Sequence, residues 1–416
     1  MNIFILVSTK RVNFVKYSMT NCQTYAMSMY NFDQIIERRE TGAIKTDRLK
    51  EMFGRDDIIP AWVADMDFAT PPFIIDALRR RLDHPVLGYT REPDDYRPAI
   101  IEWQKRLHGW EIQPEWISYI PGIVKGIGMV VNFFTRPGDE VYIMPPVYHP
   151  FRITPESNGR KVVNVPLIED CESRYHMDYE ALERLPGGGL LILSNPHNPA
   201  GQIWTREELA RLAIICKSKG IIVISDEIHA DMAHWGKRHV PFAMSCPEAA
   251  EISITFGAPT KTFNIPGVVS SFAVVPDRSL RERFFGWLAA NEFGDAPVFS
   301  HIAAISAYRE GWEWRRRMLE YVEGNIEYVI DYCERNIPGV IARRPDASFL
   351  VWLDCRGLGL DHDALVSLFV DKAGLALNDG EMFGAQGKGF MRLNVASPRT
   401  VIETMMSRLS DAVATL

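Results

Sequence analysis

Apolar residues fall into two patterns along this chain. Uninterrupted apolar runs bounded by Gly, Pro or polar residues, as in Leu190-Leu-Ile-Leu193 and Ile221-Ile-Val-Ile224, predict strands buried on both faces. Ile252-Ser-Ile-Thr-Phe256 and Glu140-Val-Tyr-Ile-Met144 read as further strands, and Ala347 to Asp354 alternates with the period of a strand. The stretch from Trp116 to Phe134 passes from strand through a glycine turn into a buried helix. Helical spacing predicts a long helix from about Trp312 to Asn336, with Trp312, Trp314 and Arg315 to Arg317 giving it a solvated basic face. Shorter helices are predicted over Phe32 to Glu40, through Leu49 and Met52, from Pro71-Pro72 onward and from Asp363 to Ala373; Gly389 to Ala396 is the last strand.

Several of these strands end in residues able to do chemistry. Five uncharged residues precede Asp226, which places the acid at the carboxyl end of a strand, where open α/β sheets bind ligands. The run Leu190 to Leu193 ends in Ser194-Asn-Pro-His-Asn198, and Ile252 to Phe256 leads through small residues to Lys261. A Lys held in a partly dry cleft loses its proton more easily, which frees an amine to attack carbonyls. A solvated loop lysine is the competing reading. Gly122-Ile-Val124 begins the buried helix, where backbone N–H groups and the macrodipole favour a phosphate; without GxGxxG or GK[ST] the signal is weak by itself. Lys125 either adds charge there or is solvated. Asp65 and Asp67 are open between turn or capping chemistry and a substrate contact. Arg392, flanked by Met and Leu, calls for an anion or a structural ion pair. His229, His234 and His239 are spaced by five and five, which fits neither HExxH nor a helical i, i+4 pair, so no metal is expected.

The 416 residues suffice for two domains, and 47% hydrophobic with 24% charged residues is ordinary globular composition. A net charge of −7 argues against nucleic-acid or anionic-membrane partners. Six scattered cysteines without a CxxC pair read as reduced thiols in the cytoplasm. The apolar start of residues 1–29 is too short for a membrane span and poorly built as a signal peptide, which suggests a loose extension or an upstream start; a transit peptide is the sharper alternative.

The ordered set Asn195-Pro-His-Asn198-Pro-Ala-Gly201, Ser225-Asp226-Glu-Ile-His229 and Ala258-Pro-Thr-Lys261-Thr-Phe-Asn-Ile-Pro-Gly267 resembles the aspartate-aminotransferase superfamily of pyridoxal 5'-phosphate (PLP) enzymes, fold type I. Within it the chain is most similar to the MalY/PatB group of cystathionine β-lyases, also through Trp62-Val-Ala-Asp-Met-Asp-Phe68. The resemblance implies an α/β fold in which a large domain carries a mostly parallel seven-stranded sheet covered by helices. A smaller α+β domain would come from the terminal segments, with divisions at 30–75, 76–310 and 311–416.

It further implies a role for each motif residue. Lys261 binds the cofactor aldehyde and moves the Cα proton, and Asp226 pairs with the pyridine nitrogen. Tyr148 and Ile228 cover the two ring faces, while Asn198 and His229 bond the ring oxygen. Gly122, Ile123, Val124 and Thr260 hold the phosphate. Tyr89 reaches the partner's phosphate across a homodimer interface, and Arg392 holds the substrate carboxylate, with Tyr148 and Tyr89 bordering the side-chain pocket. Two positions depart from the pattern: Val269 stands where the wider superfamily has a basic residue, and Thr260 where Ser is usual. Lys45-Thr-Asp47 lacks the aromatic residue common before that Asp, so no shared contact is assigned to it. The implied reaction is α,β-elimination from cystathionine or another S-substituted cysteine to thiol, pyruvate and ammonia. An aminotransferase on the same scaffold is the main alternative, and a regulatory protein that binds a transcription factor is the second.

Overall fold

A computed structural model describes residues 30–416, so the extension assigned to residues 1–29 lies outside the described residues. In chain order, strand β1 (Ile59–Pro60) leads to helix α1 (Pro72–Leu82), which begins with its proline at the first position, and to α2 (Tyr96–His108). The large sheet is built from β2 (Ile117–Ile120), β3 (Glu140–Ile143), β4 (Lys161–Asn164), β5 (Leu190–Ser194), β6 (Ile222–Asp226), β7 (Ser253–Gly257) and β8 (Ser271–Val274), with α3 (Ile123–Phe134) between β2 and β3. Its spatial order is β2-β8-β7-β6-β5-β3-β4. Only β8 runs against its neighbours; the other six are parallel.

The uninterrupted apolar runs follow from this placement. Both faces of the central strands are covered, so every side chain has an apolar layer to enter. Leu190, Ile192, Ile224 and Ile254 join the core formed with Ile127, Val130 and Val131 of α3. Leu191, Leu193 and Val223 point the other way, into a second core with Leu209, Leu212 and Trp204. Alternation continues past the hydrophobic residues: Asp226 and Ile228 share the parity of Ile224, and Glu227 shares that of Val223. Glu227 accordingly turns to the second layer, where it accepts hydrogen bonds from Ser225 Oγ (2.9 Å) and the Phe242 N–H (2.8 Å) and lies 2.8 Å from His239 Nε2.

Helix α5 (Trp312–Asn336), preceded by α4 (Val298–Glu310), leads to a second sheet of β9 (Ile341–Arg343), β10 (Leu350–Asp354), β12 (Asn378–Asp379) and β13 (Phe390–Asn394), in the order β9-β10-β13-β12. Strand β11 (Leu375–Ala376) pairs in parallel with β1, joining segments that precede and follow the large sheet in sequence, and α6 (Arg399–Val413) is the last helix. The expected helix from Asp363 to Ala373 begins at His362 and passes from α into π geometry at Leu368. Among the described residues no helix is long and apolar enough to cross a membrane.

Two sequence expectations are corrected. Phe32 to Glu40 is not helical, because its side chains are claimed elsewhere. Phe32 packs its ring against Phe68, Trp314 and Tyr321, and Arg38 reaches Asp65 and Asp67. On α5, Arg316 is solvated as expected and Arg317 is half-buried, but Trp314 and Arg315 are buried with Met318, Leu319 and Val322 on one stripe. There Arg315 Nε donates to the Asp231 carbonyl.

Helix α3 lies so close to the sheet that a Cβ on Gly126 would stand 2.6 Å from Ile120 Cδ1 and 3.1 Å from the Phe256 ring. Gly126→Val is therefore expected to lower the unfolding free energy by about 1–3 kcal/mol, the usual cost of overpacking. The check is a lower denaturant midpoint at unchanged slope.

Candidate active site

Parallel register brings Ser194, Asp226 and Phe256 side by side at the carboxyl ends of β5, β6 and β7. A cavity of about 310 Å³ opens over these ends. Gly122, Ile123 and Val124 line it where α3 begins, with Gly122 at φ +107, a conformation that L side chains rarely adopt. Thr260 and Lys261 enter it from the loop after β7, Tyr148 from the turn after β3, and Asn198, Asp226, Ile228 and His229 from the ends of β5 and β6. Lys125 and Val269 also line it. Val269 is held at φ +57 with its carbonyl accepting from Tyr119 Oη (3.1 Å) and Ser300 Oγ (3.2 Å).

Burial sets the electrostatics. Desolvation pulls the Lys261 amine down to about 8, helped by the Arg392 charge and opposed by Asp65 and Asp226. Its Nζ donates to the Ala64 carbonyl. Desolvation likewise pushes Asp226 up to about 7, against the Ile228 N–H that it accepts at 3.1 Å and the Lys261 charge. His229 is driven down to about 3 by burial and then by Lys261 and Arg392, so its ring is neutral; Nδ1 lies 3.0 Å from Ser348 Oγ. Burial also lowers Arg392, to about 10. Its Nη1 donates to Asn198 Oδ1 (2.9 Å), and Nη2 donates to Asn378 Oδ1 (2.5 Å) and the Trp62 carbonyl (3.1 Å). Nε is buried without a partner.

The sequence missed Asn378, Ser348 and the Trp62 and Ala64 carbonyls, each of which reaches the site from a distant segment. Alternation on the short strand after Leu375 was the available signal for Asn378. Lys45, to which no contact was assigned, is fully buried against Asp67 (2.8 Å). Asp65 and Asp67 are engaged by Arg38 and Lys45 rather than by helix capping. Tyr89 does not line the cavity of its own chain; its side chain is fully exposed. The three histidines diverge: His229 meets Ser348, His234 meets Glu323 and the Ser348 carbonyl, and His239 meets Glu227. Among the described residues no cluster of three or more His, Cys, Asp or Glu could hold a metal.

These groups fit PLP. The cavity has an anion-binding helix start beside a hydroxyl at Gly122 to Val124 and Thr260, a buried acid at Asp226, and a depressed amine at Lys261. Behind Asn198, Arg392 keeps a buried Nε without a partner.

An open, mostly parallel sheet with a buried lysine and acid at its strand ends defines the class of PLP-dependent enzymes of fold type I. Residues 62–409 match the family described as aminotransferase class I and II, and the chain belongs to it. It is 40% identical to the cystathionine β-lyase PatB of Bacillus subtilis (strain 168), over 92% of this chain and all of that one. It is 32% identical to protein MalY of Escherichia coli (strain K12), over 92% of this chain and 99% of the relative. The crystal structure of cystalysin from Treponema denticola, which contains a pyridoxal 5'-phosphate cofactor, superposes with a TM-score of 0.89 at 33% identity, covering 93% of this chain and 99% of that one.

Because the folded Asp226 holds its proton up to about pH 7 while the unfolded chain releases it near 3.8, charging this acid costs stability progressively across that interval. Asp226→Asn is isosteric and stays neutral. It is expected to stabilise the cofactor-free protein by on the order of 2–4 kcal/mol at pH 8, with a smaller gain at pH 5. Denaturant titrations at the two pH values check it.

Proposed function

We propose that this protein is a PLP-dependent carbon-sulfur β-lyase that cleaves cystathionine or related S-substituted L-cysteines to thiol, pyruvate and ammonia. The observation that carries the reading is the half-buried Lys261 amine, depressed to about 8, sharing one cavity with Asp226 and Asn198, behind which Arg392 is held, in a chain 40% identical to a cystathionine β-lyase.

Arg392, whose guanidinium plane is held by Asn198 and Asn378 and whose Nε has no partner, would take the substrate α-carboxylate. The carboxylate compensates a cation whose burial is otherwise costly. Bound through its aldehyde, PLP supplies the electron sink for the α-carbon. Asp226 would pair with the ring nitrogen, whose positive charge would favour the ionised acid, while Tyr148 and Ile228 would flank the ring. The neutral His229 and Asn198 would hold its oxygen. Lys261, with a proton affinity near neutrality, takes the Cα proton, and breaking the Cβ–S bond then releases the thiolate.

The second reading, an aminotransferase, is favoured by the family description itself and uses the same Lys, Asp, Asn and Arg. It would differ in its outcome, with the amino group transferred and the Cβ–S bond left intact.

The functional unit is proposed to be a homodimer. Tyr89 projects from a segment whose Val86 and Leu87 are also exposed, an apolar stretch that its own chain leaves uncovered. In the partner's cavity its hydroxyl would serve the phosphate, in place of the basic residue that Val269 replaces. The division into a large domain over 76–310 and a smaller one from 30–75 and 311–416 is supported by the β1–β11 pairing. The unpaired cysteines among the described residues fit a cytoplasmic setting.

Purified protein with cystathionine is expected to release pyruvate, detected with lactate dehydrogenase, without accumulating pyridoxamine phosphate; the reverse balance would establish the aminotransferase instead. Lys261→Ala should lose about 10²–10⁴-fold in rate from proton transfer alone. Tyr89→Ala and Lys261→Ala subunits, each inactive, should regain up to about a quarter of wild-type activity when unfolded and refolded together, since one site of each mixed dimer is intact. No recovery would separate Tyr89 from the partner's site.

A further inference from the structure

The segment Trp62–Phe68 touches both reacting ends of the site through its backbone. The Ala64 carbonyl accepts from Lys261 Nζ, and the Trp62 carbonyl accepts from Arg392 Nη2 at 3.1 Å. Backbone carbonyls in a loop are only as well placed as the loop is fixed, and two asparagines fix this one. Asn394, two residues after Arg392, donates to the Val63 and Asp65 carbonyls, both at 2.7 Å. Asn264, three residues after Lys261, accepts the Met66 N–H (3.0 Å) and donates to the Met66 (3.0 Å) and Phe68 (2.8 Å) carbonyls.

Behind the segment lies a charge cluster that the catalytic reading leaves unused. Arg38 Nη2 meets Asp65 Oδ2 at 2.6 Å, and its Nη1 meets Asp67 Oδ1 at 2.8 Å. Lys45 approaches from the other side, with Nζ 2.8 Å from Asp67 Oδ2, 3.8 Å from Asp65 Oδ1 and 3.4 Å from the Asp65 carbonyl. Ser397 Oγ donates to Asp67 Oδ2 at 2.5 Å. The backbone joins in, since Trp62 Nε1 donates to the Lys45 carbonyl at 3.0 Å. Lys45 is completely buried, and an ammonium in that position is costly unless both its charge and its donors are used. Arg38 alone already bridges the two carboxylates. A second, fully desolvated cation is therefore more than the loop's attachment requires, and it balances the two acids to neutrality beside Lys261.

We propose that Lys45 is a positioning residue: by neutralising Asp65 and Asp67 and bonding the Trp62–Phe68 segment, it sets the field and the carbonyl that the Lys261 amine meets. Lys45 does not line the cavity, and it acts only through that segment. The groups facing Lys261 are Asp65, Asp226 and Arg392, and those facing Lys45 are Asp65, Asp67 and Arg38. Removing Lys45 leaves excess negative charge near the amine, and removing Asp65 leaves a deficit, so the two changes must move Lys261 in opposite directions.

This role rests on Lys261 being the reacting amine, but it is read on full-length, cofactor-free protein, so a protein inactive on every thioether would still answer it. Trinitrobenzenesulfonate labelling of Lys261, followed by peptide mass spectrometry across pH 6 to 10, gives the midpoint of amine reactivity, expected near 8 in the wild type. Lys45→Met should raise that midpoint by about 0.5–1 on the pH scale and so cut labelling at pH 7 by about three- to tenfold. Lys45→Arg should restore it, and Asp65→Asn should lower it. Both midpoints moving the same way would mean that the loop has merely loosened, and unchanged midpoints would mean that Lys45 is silent; either result overturns the proposal. If Lys45→Met does not fold, Asp65→Asn decides alone: a midpoint that stays or rises overturns it.

Discussion

Asp226 and Lys261 line one small cavity with Arg392 behind Asn198 at its edge, and burial shifts each of the three toward its neutral form. Asp226 is pushed up, while Lys261 and Arg392 are pushed down, with burial the largest cause in every case. Such a constellation costs folding free energy that the surrounding layers must supply, and it persists because the groups sit on rigid elements. Central strands buried on both faces provide that rigidity, and the same apolar layers that stabilise the sheet are what desolvate its strand ends. Stability and reactivity thus draw on the same packing: a looser core would let water in and raise the Lys261 amine back toward its ordinary proton affinity.

Ligands complete what the protein leaves unbalanced. Arg392 has partners on both terminal nitrogens and none on Nε, and Asp226 has a single backbone donor. A helix start with glycine at a left-handed φ faces the same space. An anion at α3, a protonated ring nitrogen at Asp226 and a carboxylate at Arg392 would each compensate a separate local charge, which is how one cofactor and one amino acid together neutralise the site.

How much of this was legible in the sequence follows the range of the interaction. The sheet strands and the start of α3 were readable because their signals are local: unbroken apolar runs, a glycine turn and an acid at a strand end. Lys261, Asp226 and Asn198 converge because parallel register aligns the ends of β5, β6 and β7, whereas Arg392 arrives from β13 of the second sheet. What could not be read depends on contacts across hundreds of residues. Nothing local marks Lys45 as buried; Asp67, which meets its ammonium, is itself held by Ser397 from the far end of the chain. Asn378 carried no motif, yet it grips Arg392. Phe32 to Glu40 had helical spacing, but aromatic packing against α5 and the Arg38 ion pairs outweighed so short a helix. Arg315 and Arg316 are neighbours of like charge, and only the helix stripe decides which is buried.

Consecutive acids at 226 and 227 serve opposite layers of the sheet: one turns toward the cavity, the other toward His239 and the Phe242 N–H. Since a strand inverts its side chains with every residue, losing or gaining one position inside Ile222–Asp226 would exchange the two carboxylates. The exchange would leave composition and hydrophobicity nearly intact while aiming the wrong acid at each layer. Length in this stretch is therefore under tighter constraint than identity, and homologous chains should vary in which aliphatic residue they carry there far more freely than in how many.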